Sequence, residues 1–242
     1  MHSTTLIIGA SSDVGVNLIK SMDAGTRVLA HYNRSDAALK DVAATCAADV
    51  VLLQADLSVE AEVMSLLDTV ETDYDNPDKI VCLAAAPVKN IRFKDVEWSH
   101  FEKDINISLK ATVLVLNRLL PKMAKAKKGK VVVMLSSYVL GVPPKALAHY
   151  TTIKYALLGL VKSLASEYGA RNIQVNAVSP SMIDTKFLNT INEKFVELNA
   201  YNHPLKRNAQ VDDVTPAIKM LLSSDADYIN GVNIPITGGS IF

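Results

Sequence analysis

The chain has 242 residues, 49% apolar and 21% charged, and its 25 basic and 25 acidic residues cancel to a formal net charge of zero. That length and apolar content suit one large α/β domain with a sizeable core, and the neutral balance argues against a polyanion-binding protein, nucleic acid included. No run of about 18 apolar residues occurs, so no membrane span is expected, and the opening MHSTTLIIGAS lacks the basic region and long apolar core of a secretory signal.

Thr4–Ile8 is a short β-branched run, as expected of a strand buried on both faces. The turn Gly9-Ala-Ser-Ser-Asp-Val-Gly15 follows, then a helical pattern over Asn17–Ala24 and a second strand over Arg27–Tyr32. An alanine-rich helix is predicted over Ser35–Ala48, a third strand over Val50–Gln54, and a helix from Ser58 to about Asp73. A fourth strand is expected over Ile80–Ala85, followed by one long helix from Glu97 to about Lys128, kinked or restarted at Pro121. Lys130–Leu135 reads as the fifth strand, Ala148–Tyr168 as a helix and Ile173–Val178 as the sixth strand. Ser181–Arg207 is polar and helical with little patterning, Val211–Ser223 is a further helix, and Gly231–Ile236 a last strand. Strands and helices alternate without a linker or repeat. The expected architecture is therefore α/β, a single-domain Rossmann-like doubly wound parallel sheet of about seven strands spanning residues 1–242.

In such a sheet ligands bind beyond the carboxyl ends of the strands, where the strand order reverses. The turn at Gly9 and Gly15 lies there, and the helix after it offers backbone N–H groups to a phosphate. A glycine pair alone also describes an ordinary strand-to-helix turn, but its position after the first strand favours the phosphate reading. Gly9, Ser11, Ser12, Asp13, Val14 and Gly15 are thus candidate cofactor residues. Asp13 suits a helix N-terminus yet repels a pyrophosphate, so its side chain is expected to point away. The second strand runs into Asn33, Arg34 and Ser35, with no acidic residue before Asp36. A basic residue without an acidic one favours a 2′-phosphate, hence NADP(H) over NAD(H).

Tyr150 and Lys154 stand four apart on a predicted helix, one above the other on the same face. An ammonium beside a phenol favours the phenolate, and Ser137, at the end of the preceding strand, can aim a hydroxyl at the same point. Taken singly, the tyrosine also reads as a core residue and the lysine as one reaching solvent. His149 is read as packing or meeting solvent, and His2, His31, His100 and His203 are scattered, so no metal site is expected. Cys46 and Cys82 show neither metal spacing nor a disulfide framework, which fits small buried thiols and a cytoplasmic location.

With these motifs in order, the chain resembles the short-chain dehydrogenase/reductase family over essentially its whole length, and in particular the 3-oxoacyl-acyl-carrier-protein reductases. The family's T-G-x-x-x-G-x-G turn stands here with Ile8 and Asp13 in place of its threonine and middle glycine, and the N-N-A-G segment is replaced by Leu83-Ala84-Ala85-Ala86. The resemblance implies Asp56 and Leu57 beside the adenine, Ala84, Ala85 and Ala86 beside the cofactor, and Pro180, Ile183 and Thr185 at its nicotinamide end. It implies hydride transfer between NADP(H) and a carbonyl carbon, with Ser137 holding the substrate oxygen and Tyr150 donating the proton. Lys154 then also binds the nicotinamide ribose, and Asn106 holds a water that links Lys154 to solvent. Residues 181–207 take the place of the substrate lid, though a peripheral helix pair has the same pattern. Lys122, Lys125, Lys127, Lys128 and Lys130 could receive an acyl carrier protein bearing a 3-oxoacyl thioester, or simply sit at a helix C-terminus. Helices with apolar residues on several sides, and an apolar ending Thr237–Phe242, point to a homo-oligomer, a dimer or, as is common in the family, a tetramer. Two other readings share these residues: an alcohol, polyol or sugar dehydrogenase working oxidatively, and a nucleotide sensor that kept the fold without the chemistry.

Overall fold

The computed structural model describes residues 3–74 and 76–241. Its seven strands form one parallel sheet, β1 (Ser3–Ile8), β2 (Thr26–Tyr32), β3 (Asp49–Gln54), β4 (Lys79–Cys82), β5 (Gly129–Met134), β6 (Ile173–Pro180) and β7 (Asn233–Ile236). The order across the sheet is β3-β2-β1-β4-β5-β6-β7. The central strands are rich in apolar residues because helices cover both faces, and every residue of β6 is buried, its Gln174, Asn176 and Ser179 included. The chain winds outward from β1 to β3 and then crosses back to β4 on the other side of β1. The carboxyl ends of β1 and β4 therefore flank the crevice where ligands of such sheets bind.

The helices are α1 (Asp13–Lys20), α2 (Ala37–Ala43), α3 (Glu60–Asp73), α4 (Trp98–Asp104), α5 (Ala111–Ala126), α6 (Ala148–Tyr168), α7 (Glu193–Asn202) and α8 (Val211–Leu222). Two cores result, one on each face. Leu66 and Val70 of α3, Val115 and Leu119 of α5 and Leu157 and Val161 of α6 pack on Ile80, Val131 and Val175. Leu18 of α1, Leu39 of α2 and Val214 and Ile218 of α8 pack on Ile7, Val28, Val81 and Val132. Burial of such side chains contributes about 1.5–3 kcal/mol each before the entropy of ordering them is set against it.

Several boundaries differ from expectation, among them that of the second helix, which spans only Ala37–Ala43. The first helix begins at Asp13 rather than Asn17, because the Ser12 hydroxyl accepts from the Gly15 N–H (3.1 Å) and donates to the Gly9 carbonyl (2.8 Å). β4 stops at Cys82, short of the expected Ala85. The long helix over 97–128 is broken in two: α4 and α5 are joined by a π-helical segment, Ile105–Lys110, whose hydrogen bonds reach one residue further along the chain. α5 runs through Pro121 to Ala126.

The lysine cluster lies at the wrong edge to serve the crevice. Lys130 is the second residue of β5, about 13 Å along the strand from its carboxyl end. Lys122, Lys128 and Lys130 pair with Glu71, Asp78 and Asp227 at 2.7, 2.5 and 2.7 Å. Among the described residues, no helix is long and apolar enough to cross a membrane and no group of three or more His, Cys, Asp and Glu could hold a metal ion. His2 and Phe242 lie outside the described residues. Cys46 and Cys82 are free thiols, and burial pushes the Cys82 thiol up to about 12.

Candidate active site

A cavity of about 430 Å³ opens at the carboxyl ends of β1, β4, β5 and β6. Its floor is the turn after β1, its back wall the end of β5 and the first turns of α6, and its cover the segment after β6.

The turn is shaped by its glycines. Gly9 has φ +81°, and a Cβ there would stand 2.9 Å from the Ala84 amide nitrogen. A Cβ on Gly15 would collide with the Ala10 backbone. The turn thus lies against the loop after β4, with Ser11, Ser12, Asp13 and Val14 lining the cavity. Among the described residues, the backbone N–H groups of Asp13 and Val14 have no acceptor, so the positive end of α1 faces the cavity. A histidine that motif reading left unassigned holds this turn. The buried His31 accepts from the Gly9 N–H at Nδ1 (3.0 Å) and lies 3.0 Å from the Ala55 carbonyl at Nε2, which defines a neutral ring protonated at Nε2. Burial lowers its pKa, in keeping with that state.

Asp13 points away from the turn, as expected, and its target is distant in sequence. Its Oδ2 accepts the backbone N–H of Lys186 at 2.8 Å, with the Lys186 ammonium 3.9 Å from Oδ1. Asn33, Arg34 and Ser35 follow β2, and Arg34 and Ser35 are exposed. Asp56 follows β3, where it accepts from the Ser58 N–H (2.8 Å) and hydroxyl (2.6 Å). The Ser58 bonds hold its carboxyl below the usual range, assisted by Asn33 and by the Arg34 charge. Leu57 is buried in the core on the α3 face. Ala85 lines the cavity and Ala86 is buried beside it. These features fit a dinucleotide: a turn no side chain can fill, a helix N-terminus toward the phosphates, and a cation where a ribose phosphate is expected.

At the back wall, Lys154 is 3% exposed and donates to the Met134 carbonyl at 2.9 Å, with its Nζ 5.5 Å from the centre of the Tyr150 ring. The expected lowering of the phenol by the ammonium is outweighed by burial. Burial dominates for both groups, raising Tyr150 and lowering Lys154 to about 8, because each charged form loses water. The phenol is therefore held protonated at neutral pH. The hydroxyl that meets it is that of Ser136, one residue before the expected serine, and that contact works against the rise. Ser136 also caps the 3₁₀ turn Ser137–Val139 by accepting from the Tyr138 N–H. Ser137 lines the same cavity.

Asn106 lies in the π-helical segment and outside the cavity lining. Of the two readings of His149 the structure shows packing: it is 3% exposed, and its Nδ1 is 2.6 Å from Oδ2 of the buried Asp104. Pro180, Ile183 and Thr185 line the cavity, and β6 continues through Pro180, two residues past the expected end. The cover comprises a 3₁₀ turn, Lys186–Thr190, and α7. It is tied down by the Thr190 hydroxyl on the Val88 carbonyl (3.0 Å) and by His203 Nε2 at the Thr237 carbonyl (2.9 Å).

Comparison with known proteins agrees with this architecture. The family model described as enoyl-(acyl carrier protein) reductase matches residues 15–240. The 3-oxoacyl-[acyl-carrier-protein] reductase of Staphylococcus aureus is 28% identical over 246 residues, covering 99% of this chain and 98% of that protein. Its counterpart in Rickettsia prowazekii is 30% identical over 241 residues, covering 98% and 96%. The crystal structure of levodione reductase superposes with a TM-score of 0.89 at 27% identity, covering 98% and 96% of the two chains. An all-parallel sheet with its cavity at the reversal of strand order, matched along nearly the whole chain by these reductases, makes this protein a member of the short-chain dehydrogenase/reductase family of NAD(P)-binding oxidoreductases.

Proposed function

We propose that the protein is an NADP(H)-dependent carbonyl reductase in which Tyr150 donates the proton to the substrate oxygen. The observation that carries this reading is the half-buried Tyr150 beside the buried Lys154, which the Met134 carbonyl anchors in a cavity that also contains the glycine turn. Bound NADPH would supply hydride to the carbonyl carbon. The protein's part is to hold a protonated phenol beside that carbon, and burial keeps Tyr150 in that state. Ser137 is assigned to the substrate oxygen and Ser136 to the phenol. The Lys154 ammonium, below its pKa of about 8, stabilises the phenolate as the proton leaves. Asn106 is assigned to the path by which a proton returns through Lys154.

Gly9, Ser11–Gly15, Asn33–Ser35, Asp56, Leu57, Ala84–Ala86, Pro180, Ile183 and Thr185 are assigned to the cofactor, with Arg34 selecting its 2′-phosphate. Residues 1–242 act as one catalytic domain with 181–207 as cover. The names of the relatives point to a 3-oxoacyl thioester carried on an acyl carrier protein, and the family description to an enoyl thioester. A tyrosine poised to protonate oxygen supports the carbonyl. The cavity walls Val88, Leu135, Leu147, Phe187, Ile191 and Phe195 suit an apolar chain or ring. Half-exposed Val113 of α5 and Tyr155 of α6 support self-association as a dimer or tetramer, and the free thiols suit the cytoplasm.

The test is an initial-rate screen with NADPH and NADH against 3-oxoacyl thioesters, diketones, quinones and sugars, repeated with Tyr150→Phe. Consumption of NADPH is expected to fall by several orders of magnitude in the variant while cofactor affinity stays near that of the parent. Undiminished turnover without the hydroxyl would reject the role given to Tyr150.

A further inference from the structure

His149 precedes Tyr150 at the start of α6, and Asp104 ends α4, two residues before Asn106. The two side chains are 3% and 8% exposed, with Nδ1 2.6 Å from Oδ2. The other ring nitrogen, Nε2, lies 3.0 Å from the Lys89 carbonyl. With Asp104 ionised both partners are acceptors, and both contacts are hydrogen bonds when both ring nitrogens carry protons. A neutral ring beside the carboxylate would leave one lone pair facing an oxygen in a buried place, which is unfavourable.

The Asp104 carboxylate also acts on the reacting groups, since its charge raises both Tyr150 and Lys154. The other titratable groups near the pair come from each neighbouring element. His100 of α4 lies 6.2 Å from the His149 ring centre. Tyr150 and Lys154 project from α6, and Tyr138 of the 3₁₀ turn stands 6.2 Å from the Tyr150 ring. Lys89 itself is exposed and contributes only its carbonyl. Phe101 meets the His149 ring edge-on at 6.3 Å and excludes water from that side.

We propose that the buried Asp104–His149 pair is a positioning and charge-setting element of the Tyr150–Lys154 centre, in which a doubly protonated His149 ring balances the Asp104 carboxylate. The pair joins three segments that build the site: the end of α4 leading into the π segment, the first turn of α6, and the loop after β4 with its cavity residues Val88 and Asn90. It also fixes the field in which Lys154 keeps its proton. The inference rests on the catalytic reading of Tyr150 and Lys154 proposed above.

The consequence is a pair of opposite shifts. With Asp104→Asn the field that holds the Lys154 proton is lost, and the alkaline limb of kcat/KM moves to lower pH. With His149→Asn the carboxylate loses its balancing cation, and the limb moves to higher pH. Each shift is expected to be about one pH unit, the order of a single buried charge acting through several ångströms of protein. Shifts in the same direction, or none, in variants that melt and bind NADPH like the parent would overturn the proposal, because a merely structural pair gives no opposite signs. If either variant does not fold, the parent decides. Nitrogen-15 spectra of its histidines at pH 7.5 should show His149 with both ring nitrogens protonated, and a neutral tautomer there would equally overturn the proposal. Failure of the underlying site reading is seen separately, as turnover surviving in Tyr150→Phe, and leaves the ring spectrum unchanged.

Discussion

Replacing Lys154 with methionine keeps the length of the side chain and removes its charge. The ammonium stands 5.5 Å from the centre of the Tyr150 ring. At an effective dielectric constant of about 20, attraction to a phenolate at that distance is about 3 kcal/mol. It develops only as the proton leaves, so its loss raises the barrier rather than weakening substrate binding. Three kcal/mol is about a hundredfold in rate, and kcat of Lys154→Met at pH 7 is expected to fall by at least that much, with KM for the carbonyl little changed.

The pH dependence follows from the same group. Burial lowers Lys154 from 10.5 to about 8, so the charge is present below about 8 and lost as pH rises through that value. The parent should show an alkaline limb near pH 8 that Lys154→Met lacks. The depressed pKa also means that the unfolded chain binds the proton more tightly, so this group's contribution to stability rises with pH between about 8 and 10.5. The variant should lose that rise as well, while the Met134 carbonyl forfeits its donor at ~1–3 kcal/mol. Initial rates from pH 6 to 10 with thermal melts measure all of this. A variant within threefold of the parent at pH 7, with the limb near 8 intact, would refute the electrostatic role.

Ser137→Ala should lower kcat/KM by about 10²–10³, the usual effect of removing one donor to a developing oxyanion. Ser136→Ala should act less strongly, through the phenol, and an equal or larger loss there would move the substrate contact to Ser136. Arg34→Ala should weaken NADPH binding by roughly tenfold or more, as for loss of a charge-assisted phosphate contact, with NADH unaffected in a fluorescence titration. A parallel loss for both cofactors would remove Arg34 from selectivity. Glu71 is held at about 2, first by hydrogen bonds from Arg118 at 2.7–3.0 Å and then by Lys122. Its contribution to stability is present above about 4.5 and lost as pH falls toward 2. Glu71→Gln should therefore flatten that part of the acid denaturation curve, and an unchanged acid slope would show that the fork contributes nothing.

The sheet was legible because its signal is local. Val131–Met134 of β5 is a continuous apolar run, and β6 is rich in Val and Ile, as strands buried on both faces require. Tyr150 and Lys154 were legible for the same reason, since their separation is one helical turn. The break at Ile105–Lys110 was not: its apolar residues keep nearly the spacing of a helix, and a π segment adds a single residue to the hydrogen-bond register. Ser136 was missed because alternation of faces stops counting where β5 ends and the chain enters a 3₁₀ turn. His149 and Asp104 are 45 residues apart, and nothing in either neighbourhood marks a partner. His31 was hidden in the same way, since its partners Gly9 and Ala55 belong to two other strand ends.

Asp13 brings these limits together. In sequence it reads as damage to a phosphate-binding turn, a negative charge at the helix end where a pyrophosphate is expected. In the fold its carboxylate accepts the backbone N–H of Lys186, 173 residues away, at the start of the cover. The carboxylate is still a favourable first residue for α1, because the helix dipole favours negative charge there. The Lys186 ammonium at 3.9 Å offsets part of its charge. The glycine turn and the segment after β6 are thereby joined by one side chain, which a glycine at this position could not do. The departure from the family pattern is thus a contact between the two halves of the cavity, and its meaning lies in a partner that no local motif could contain.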